Sequence, residues 1–252
     1  MGILNITEDS FFDGGKYISE NAVLKRVEQI LNEGGMIIDL GAVSTRPNAL
    51  EVSEDNEFEA IKKYLHLILF HFPQAIISVD TFRAKIADMA IEEGAAMIND
   101  ISGGSDPKMI DVIGKYKVPY VLTHNNRSQP LLNRELIPNM LSFFGDSIEK
   151  LLSKGIKDII IDPGFGFGKT LEQNYYVIKY LNTLSSLNLP ILVGISRKSM
   201  IQDVLAISSA ESLTGTILLN TLSLYQGSLF LRVHDIKCCA EIIKMINILS
   251  SL

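Results

Sequence analysis

Polar side chains close a series of short apolar runs along this chain. The run Ile159-Ile160-Ile161 ends on Asp162 and opens into a glycine-rich segment, residues 163–169, that carries two phenylalanines. A group of this kind needs partners, because burying a polar side chain without hydrogen bonds costs free energy. Eight runs end in this way, and eight strand ends predict one polar rim. The closing residues are Asn5, Asp39, Asp80, Asn99, His124, Asp162, Ser196 and His234.

Carboxylates and amides make up five of these closing residues. Their donors and acceptors suit a polar heterocycle such as a pterin or a purine, in which a carboxylate can face two adjacent ring donors. We expect Asp80, Asn99 and Asp162 to contact such a ligand together. For Asn5 and Asp39, capping of the next helix or anchoring of a loop is an equally good interpretation.

Two basic clusters follow the last two apolar runs. Ser196-Arg197-Lys198-Ser199 comes after the seventh run, and Arg232-Val233-His234-Asp235 ends the eighth. The loops after strands seven and eight of (β/α)₈ barrels are frequent phosphate sites. Arginine offers a planar fork and lysine a point charge, and both suit phosphate oxygens. We therefore expect a phosphate site here, with His234 donating to a phosphate or leaving oxygen.

Two long polar loops follow the first two runs, at residues 5–15 and at Ser44-Thr45-Arg46-Pro47. Loops of this length after barrel strands are typical of lids. Asn5 and Asp13 carry oxygens that can bind a Mg²⁺ shared with substrate phosphates. The segment from Gly164 to Lys169 is not a Walker A loop, because three residues rather than four separate its first and last glycines.

The elements that must position these residues alternate along the chain. Short, nearly continuous apolar runs are typical of strands covered on both faces. They predict strands at 1–6, 36–41, 75–81, 97–101, 118–124, 158–162, 190–196 and 229–234. Helical spacing of apolar residues predicts helices at 21–33, 54–70, 83–93, 107–116, 139–153, 171–187, 211–226 and 237–250.

This order predicts a single (β/α)₈ TIM barrel that spans residues 1–252 as one domain. The length of 252 residues matches the ~250 that are typical of that fold. A doubly wound open sheet is the alternative. It binds ligands at a few strand ends only, whereas nearly every predicted strand here ends on a polar residue.

Composition limits the classes of function. With 47% hydrophobic and 21% charged residues, the chain is not expected to be disordered. Its net charge of -6 gives no basic face for nucleic acid, and no apolar run approaches the ~20 residues that span a bilayer. The start lacks the pattern of a signal peptide, so we expect a cytoplasmic protein. Cys238 and Cys239 are adjacent, which suits helix packing rather than metal binding.

Seven segments together resemble dihydropteroate synthases along nearly the whole chain. They are MGILNITEDSF, IDLGAVSTRPNA, ISVDTFRAK, AAMINDISGG, DPGFGFGKT, GISRKS and LRVHD, in the order of that family. The resemblance implies a TIM barrel and a transferase that condenses 6-hydroxymethyl-7,8-dihydropterin diphosphate with p-aminobenzoate, using Mg²⁺. It also implies small-molecule partners and a homodimer formed through barrel helices.

The resemblance assigns roles to matching residues of this chain. It implies catalytic roles for Asp80, Asp162 and Lys198, where the carboxylates stabilise a pterin cation and the lysine assists departure of diphosphate. The pterin pocket would be Asp80, Asn99, Asp162 and Lys198, and the diphosphate site Asn5, Arg232 and His234. Asn5 and Asp13 would bind the metal. The p-aminobenzoate site would be Ser44, Thr45, Arg46, Pro47, Phe167 and Ser199.

Departures from the family pattern fall in the two long loops. Glu8 stands in place of a proline, Ala42 and Val43 in place of a glycine and a glutamate, and Asn48 in place of a glycine. Two other functions stay open at this point. One is a methyltetrahydrofolate-dependent corrinoid methyltransferase, which would not need the basic clusters or the second loop. The other is a catalytically silent pterin-binding paralogue, which only turnover distinguishes from the enzyme.

Overall fold

Eight short parallel strands form the centre of the protein. A computed structural model describes residues 1–6, 19–43, 52–125 and 131–251, and the statements below concern those ranges. The strands are β1 Gly2–Asn5, β2 Ile37–Gly41, β3 Ile76–Asp80, β4 Met97–Asp100, β5 Tyr120–Thr123, β6 Ile159–Asp162, β7 Leu192–Val193 and β8 Phe230–Leu231.

Helices follow the strands in alternation. They are α1 Glu20–Asn32, α2 Glu54–His71, α3 Ala84–Glu92, α4 Met109–Tyr116, α5 Asn133–Ser153, α6 Leu171–Lys179, α7 Ser199–Leu205, α8 Leu213–Tyr225 and α9 Ile236–Ser250. Two 3₁₀ helices cover Leu181–Leu187 and Ser209–Glu211. None of the described helices is both long and apolar enough to cross a membrane.

The strands follow one another in chain order. β1 to β6 form one parallel sheet and β7 pairs with β8. Single parallel bridges, Gly2 with Val233 and Ile161 with Ile191, join the two sheets at both edges. An open doubly wound sheet would reverse its strand order at a switch point. The sequential order here confirms the predicted (β/α)₈ barrel.

Alternation along the strands separates two layers of core. Ile38, Leu40, Ile77 and Val79 pack with the helices in the outer layer. An inner cluster fills the barrel beneath the rim and consists of Met97, Val121, Ile160 and Leu192. Since side chains two residues apart on a strand share a face, the residues two positions beyond this cluster must also point inwards. This rule brings Asn99, Thr123 and Asp162 to the top of the barrel interior.

The structure corrects several predicted boundaries. β7 and β8 are much shorter than predicted, because Ile191 bonds to β6 whereas the next two residues bond to β8. α5 begins at Asn133 and contains Pro138, which the prediction had placed before the helix. The predicted helix 171–187 ends at Lys179 and continues as a 3₁₀ helix with tighter bonding.

Helix α7 was not predicted. It starts at Ser199, two residues after Arg197, whose backbone adopts a left-handed conformation with φ of 57°. The hydroxyl of Thr216 accepts a hydrogen bond from the Arg197 N–H at 3.1 Å, and the Gln202 side chain donates to its carbonyl oxygen at 2.7 Å. These bonds hold the turn that directs Lys198 and Ser199 into a new helix at the rim.

Candidate active site

Arg232 connects several strand ends across the barrel. Its Nε donates to Asp39 Oδ2 at 2.5 Å, and its Nη2 donates to Asp80 Oδ2 at 2.6 Å. Asp39 is fully buried and also accepts a hydrogen bond from Asn99 Nδ2 at 3.0 Å. The structure places Asp80 and Asn99 side by side and adds Arg232, which the sequence analysis had assigned to the phosphate site. Helix capping or loop anchoring was an alternative role for Asp39. In the structure, Asp39 instead accepts hydrogen bonds from Arg232 and Asn99.

Several buried polar atoms at the same rim have no hydrogen-bond partner among the described residues. They include Asp39 Oδ1, Asn99 Oδ1 and Thr123 Oγ1. Asp80 lies beside Asn99 in the strand register, and Thr123 lies beside Asp162. Since nearly all buried polar groups are paired in folded proteins, a group of unpaired atoms at strand ends indicates the place of a ligand. Thr123 was missed because His124, the next residue, was taken as the end of the strand.

The glycine-rich loop after β6 donates a main-chain hydrogen bond to Asp162. The Asp162 Oδ1 accepts a hydrogen bond from the Gly164 N–H at 2.7 Å. Gly164 has φ of +69°, and a Cβ at this position would lie 2.1 Å from the His124 carbonyl oxygen. Only glycine fits this approach. Asp162 Oδ2 has no hydrogen-bond partner in the described part of the chain, so it can face a ligand.

Lys198 links the loops after β6 and β7. Its ammonium donates to the Phe165 carbonyl oxygen and lies 4.6 Å from the centroid of the Phe167 ring, in cation–π geometry. Ser199 is the next residue, is exposed, and begins α7. The structure thus brings Phe167, Lys198 and Ser199 to one side of the site.

Lys169 is a second partly buried cation that the sequence reasoning did not single out. Its Nζ donates to the main-chain oxygens of His124 at 3.1 Å, Gly164 at 2.8 Å and Phe167 at 3.3 Å. The sequence signal for it is its place at the end of the glycine-rich loop. The three bonds indicate that Lys169 fixes the conformation of this loop.

His124, whose role the sequence left undecided, is held by α5. Its Nε2 bonds to Asn139 Oδ1 at 3.0 Å, and its ring packs edge-on against Phe143 with centroids 5.2 Å apart. The ring Nδ1 is buried and has no hydrogen-bond partner among the described residues, so these contacts satisfy only one of its two nitrogens.

A cavity of about 480 Å³ opens beside the end of β1, and its lining includes Asn5, Arg197 and His234. The His234 ring bonds through Nδ1 to Ser196 Oγ at 3.1 Å. Arg197, expected to serve the phosphate site, instead forms two bonds to Asp235, at 3.0 Å and 2.6 Å. The Nε and Nη2 donors of Arg197 are therefore occupied.

The remaining predicted site residues lie outside the described ranges. These are Asp13 in the first long loop and Ser44, Thr45, Arg46 and Pro47 in the second.

The described residues contain no group of three or more His, Cys, Asp or Glu side chains that could hold a metal ion. Mg²⁺ usually takes one or two protein ligands and completes its shell with water and substrate phosphates. The amide oxygen of Asn5, beside the cavity, fits a site of that kind and would leave most positions to a phosphate ligand.

Burial shifts the pKa values of the two rim carboxylates upwards. The pKa of Asp80 is raised to about 7 because burial disfavours its charged form, while the charge of Arg232 opposes this shift. Burial likewise raises the pKa of Asp162, against the Gly164 N–H and the charge of Lys198. Carboxylates with raised pKa values in a cleft are typical of functional sites.

The cationic side chains differ in their response. Burial lowers the pKa of Lys198 to about 8 and that of Lys169 to about 7, although the charge of Asp162 opposes both shifts. Burial also lowers the pKa of Arg232, but the charges of Asp39 and Asp80 outweigh it and raise the value above its usual range. Burial and the charge of Arg232 lower the pKa of His234 to about 4, so its ring is neutral at pH 7.

The sequence matches one enzyme family along most of its length. The profile of the family described as pterin binding enzymes matches residues 1–234. A dihydropteroate synthase of Bacillus subtilis strain 168 is 41% identical over 250 residues, which are 98% of this chain and 87% of the relative. The chain belongs to the dihydropteroate synthase family.

Solved structures of this family share the fold. One from Clostridium difficile, determined in the presence of pteroic acid, is 36% identical with a TM-score of 0.93 and covers 98% of this chain and 95% of its own. One from Xanthomonas albilineans, with 4-aminobenzoic acid, is 30% identical with a TM-score of 0.93, over 100% and 92% of the two chains. The barrel, the family and the transferase class expected from the sequence are confirmed, and the corrinoid methyltransferase alternative finds no support.

Proposed function

We propose that the protein condenses 6-hydroxymethyl-7,8-dihydropterin diphosphate with p-aminobenzoate to give 7,8-dihydropteroate and diphosphate. The observation that carries this proposal is a group of charged side chains at the rim of the barrel, in a chain that belongs to the dihydropteroate synthase family. Two carboxylates, Asp80 and Asp162, share one end of the barrel with two cations, Arg232 and Lys198, whose charges act on them. That combination suits a substrate with a polar ring at one end and phosphates at the other.

The carboxylate side of the rim would bind the pterin. Asp80, Asn99 and Asp162 would pair with the donors and acceptors of the ring, and Lys198 would bind beside them. Support comes from the unpaired Asn99 Oδ1 and from the Asp162 oxygen that the loop leaves open. A heterocycle carrying both donors and acceptors would satisfy such atoms, whose burial without partners is costly.

The cationic side would bind the diphosphate. Arg232 uses Nε and Nη2 on its two carboxylates, and its Nη1 has no hydrogen-bond partner among the described residues, so both N–H groups of Nη1 are left for phosphate oxygens. His234 would donate from its neutral ring, and Asn5 would complete the site. We also propose a Mg²⁺ held by Asn5 and Asp13, which would supply charge neutralisation for the diphosphate when bound.

The chemistry follows from these charges. The bond between the pterin methylene carbon and the diphosphate oxygen breaks, and its electron pair leaves with the diphosphate. The cation that remains is spread over the ring and is stabilised by Asp80 and Asp162 in their charged forms. Lys198 and Arg232 stabilise the departing anion. Fixed charges directed at developing charge are worth about 3 kcal/mol for one well-placed group.

The amine of p-aminobenzoate then attacks the methylene carbon. A carbon–nitrogen bond forms and the amine releases one proton to solvent. The Phe167 ring and Ser199 would frame this substrate from the loop after β6 and the start of α7. The contributions expected from Ser44, Thr45, Arg46 and Pro47 stay predictions from the sequence.

Turnover separates this function from the silent pterin-binding alternative. The test is a coupled assay for diphosphate release that requires both the pterin diphosphate and p-aminobenzoate. We expect Asp162→Asn to lower kcat at least about a hundredfold, since one preorganised electrostatic group contributes that much. The matched control is Asp146→Asn on the exposed surface of α5, with unchanged kcat. Absence of p-aminobenzoate-dependent release from the wild type would favour the silent paralogue.

We also propose that the protein forms a homodimer. Helices α8 and α9 pack on each other and carry exposed apolar side chains, among them Leu218 (58% exposed), Tyr225 (82%) and Met245 (68%). Exposed apolar patches of this kind are typical of protein interfaces. Sedimentation of wild type and Leu218→Glu tests the proposal, with a monomeric wild type as the contrary result. The cytoplasmic location expected from the sequence stays a prediction.

A further inference from the structure

His234 is held by three hydrogen bonds to two residues. Its main-chain N–H donates to Ser196 Oγ at 3.2 Å, and its ring Nδ1 lies 3.1 Å from the same oxygen. Its carbonyl oxygen accepts a hydrogen bond from Arg26 Nη2 at 2.6 Å. Ser196 and His234 face each other because both follow the paired residues Leu192 and Phe230 by the same number of positions.

The two bonds at Ser196 determine where its hydroxyl proton lies. The oxygen accepts from the main-chain N–H of His234, so its own proton is free to be donated to the ring. Ser196 is only 5% exposed, and its oxygen forms no other hydrogen bond to a described residue. A proton on Nδ1 would need the same oxygen as acceptor and would leave the buried hydroxyl proton without a partner.

We infer that Ser196 is a positioning residue that keeps the proton of the neutral His234 ring on Nε2, where it can be donated to a diphosphate oxygen. Nε2 has no hydrogen-bond partner among the described residues, and the ring lines the cavity that Asn5 also borders. One unsatisfied buried donor corresponds to a tautomer ratio of roughly 5- to 150-fold. The inference rests on the proposed diphosphate role of His234.

Ring nitrogen shifts measured by ¹⁵N NMR test the tautomer directly. The chain has four histidines, and His234→Gln assigns the signals that belong to this ring. We expect the wild type to show a protonated Nε2 and an unprotonated Nδ1. In Ser196→Ala the two nitrogens should become more alike, because the partner that fixes the proton is gone. A wild type with the proton on Nδ1 would overturn the inference.

Calorimetry with inorganic diphosphate tests the consequence. We expect Ser196→Ala to weaken binding about twofold or more, because a ring with equal tautomers carries the proton on Nε2 only about half of the time. Pterin affinity should not change, which also shows that the variant is folded. Ser153→Ala, an exposed serine on α5, is the matched control. Unchanged diphosphate affinity in Ser196→Ala, or unchanged ring shifts, would each refute the positioning role.

A double variant separates tautomer control from general disturbance. In His234→Gln the amide nitrogen can donate from a position near that of Nε2, and an amide has no tautomer to fix. Adding Ser196→Ala to His234→Gln should therefore cause no further loss of diphosphate affinity. An additional loss as large as in the wild-type background would mean that Ser196 acts in another way.

Turnover of the wild type tests the proposed reaction separately. A wild type that binds diphosphate in a Ser196-dependent manner but forms no dihydropteroate would remove the reaction and leave this inference. A wild type that forms dihydropteroate but has a diphosphate affinity independent of Ser196 would leave the proposed reaction and remove this inference.

Discussion

Arg232 is the residue on which the arrangement of the rim depends most. It forms two short ion pairs, 2.5 Å to Asp39 and 2.6 Å to Asp80. The side chain of Arg232 is 19% exposed, that of Asp39 is 0% exposed and that of Asp80 is 10% exposed. In Arg232→Met the chain keeps a side chain of similar length but loses every donor. Asp39 would retain only its bond from Asn99, and Asp80 would lose its ion pair.

The expected loss of stability follows from this burial. Removing one partner of a buried ion pair costs about 3–5 kcal/mol, because the remaining charge is left without compensation. For domains of roughly 150–250 residues, 1 kcal/mol corresponds to about 2–4 °C in Tm. Arg232→Met should therefore lower Tm by roughly 6 to 20 °C at pH 8.

The loss should shrink at acidic pH. The folded-state pKa of Asp80 is already raised to about 7 from an ordinary value of 3.8, and removal of Arg232 raises it further. A carboxyl group with a raised folded pKa binds more protons in the folded state than in the unfolded state. The variant therefore becomes less stable as pH rises from the unfolded pKa of 3.8 through the folded pKa of Asp80. Denaturant unfolding at about pH 5 and about pH 8 measures the difference.

Two further variants make the test specific. Arg197→Met also breaks a pair with a carboxylate, but its side chain is 32% exposed, so we expect a loss of at most about 1 kcal/mol. Adding Asp39→Asn to Arg232→Met should restore part of the stability, because one of the two unpaired charges is gone. A loss below about 1 kcal/mol in Arg232→Met at both pH values would refute this reasoning, since a broken buried pair costs more.

Three other changes have expected outcomes. Pterin affinity, measured by calorimetry, should fall up to tenfold per pH unit below about 7 in the wild type as Asp80 takes up a proton, whereas Asp80→Asn should bind weakly with a flatter profile; an equally steep profile in the variant would contradict the assignment. In Gly164→Ala the free energy of unfolding, measured in urea, should fall by more than about 2 kcal/mol, because the new Cβ would lie 2.1 Å from a main-chain oxygen. In the control Gly145→Ala, in α5 with open space around it, the free energy of unfolding should rise by about 0.5–1 kcal/mol. Similar values for both variants would be the contrary result. Lys169→Met should lower the free energy of unfolding by about 1–3 kcal/mol, because three carbonyl oxygens lose their donor. The control Lys154→Met, at an exposed position, should lower it by at most about 1 kcal/mol. Equal losses would show that the three bonds of Lys169 contribute no more stability than an exposed ion pair.

Much of the fold could be predicted from the sequence, because its signals are local. Continuous apolar runs separated by helical patterns predicted eight strands in order, and those strands are present. The inward direction of Asp80, Asn99 and Asp162 follows from two-residue alternation alone. Boundaries at β7, β8 and α5 were less accurate, since a bridge to a neighbouring strand or a tolerated Pro138 depends on packing that a single run does not encode.

The partners of the rim residues were decided by the tertiary structure. Asp39 and Arg232 are 193 positions apart in sequence, and their 2.5 Å contact exists because a closed barrel brings the ends of β2 and β8 within the reach of one side chain. The pairing of β7 with β8 places Ser196 beside His234, and folding of the glycine-rich loop gives Lys169 its three acceptors. The sequence by itself determined which residue types stand at the strand ends and which way they point. Which of them bond to one another depends on distances across the barrel interior, and those are set only when all eight strands close around it.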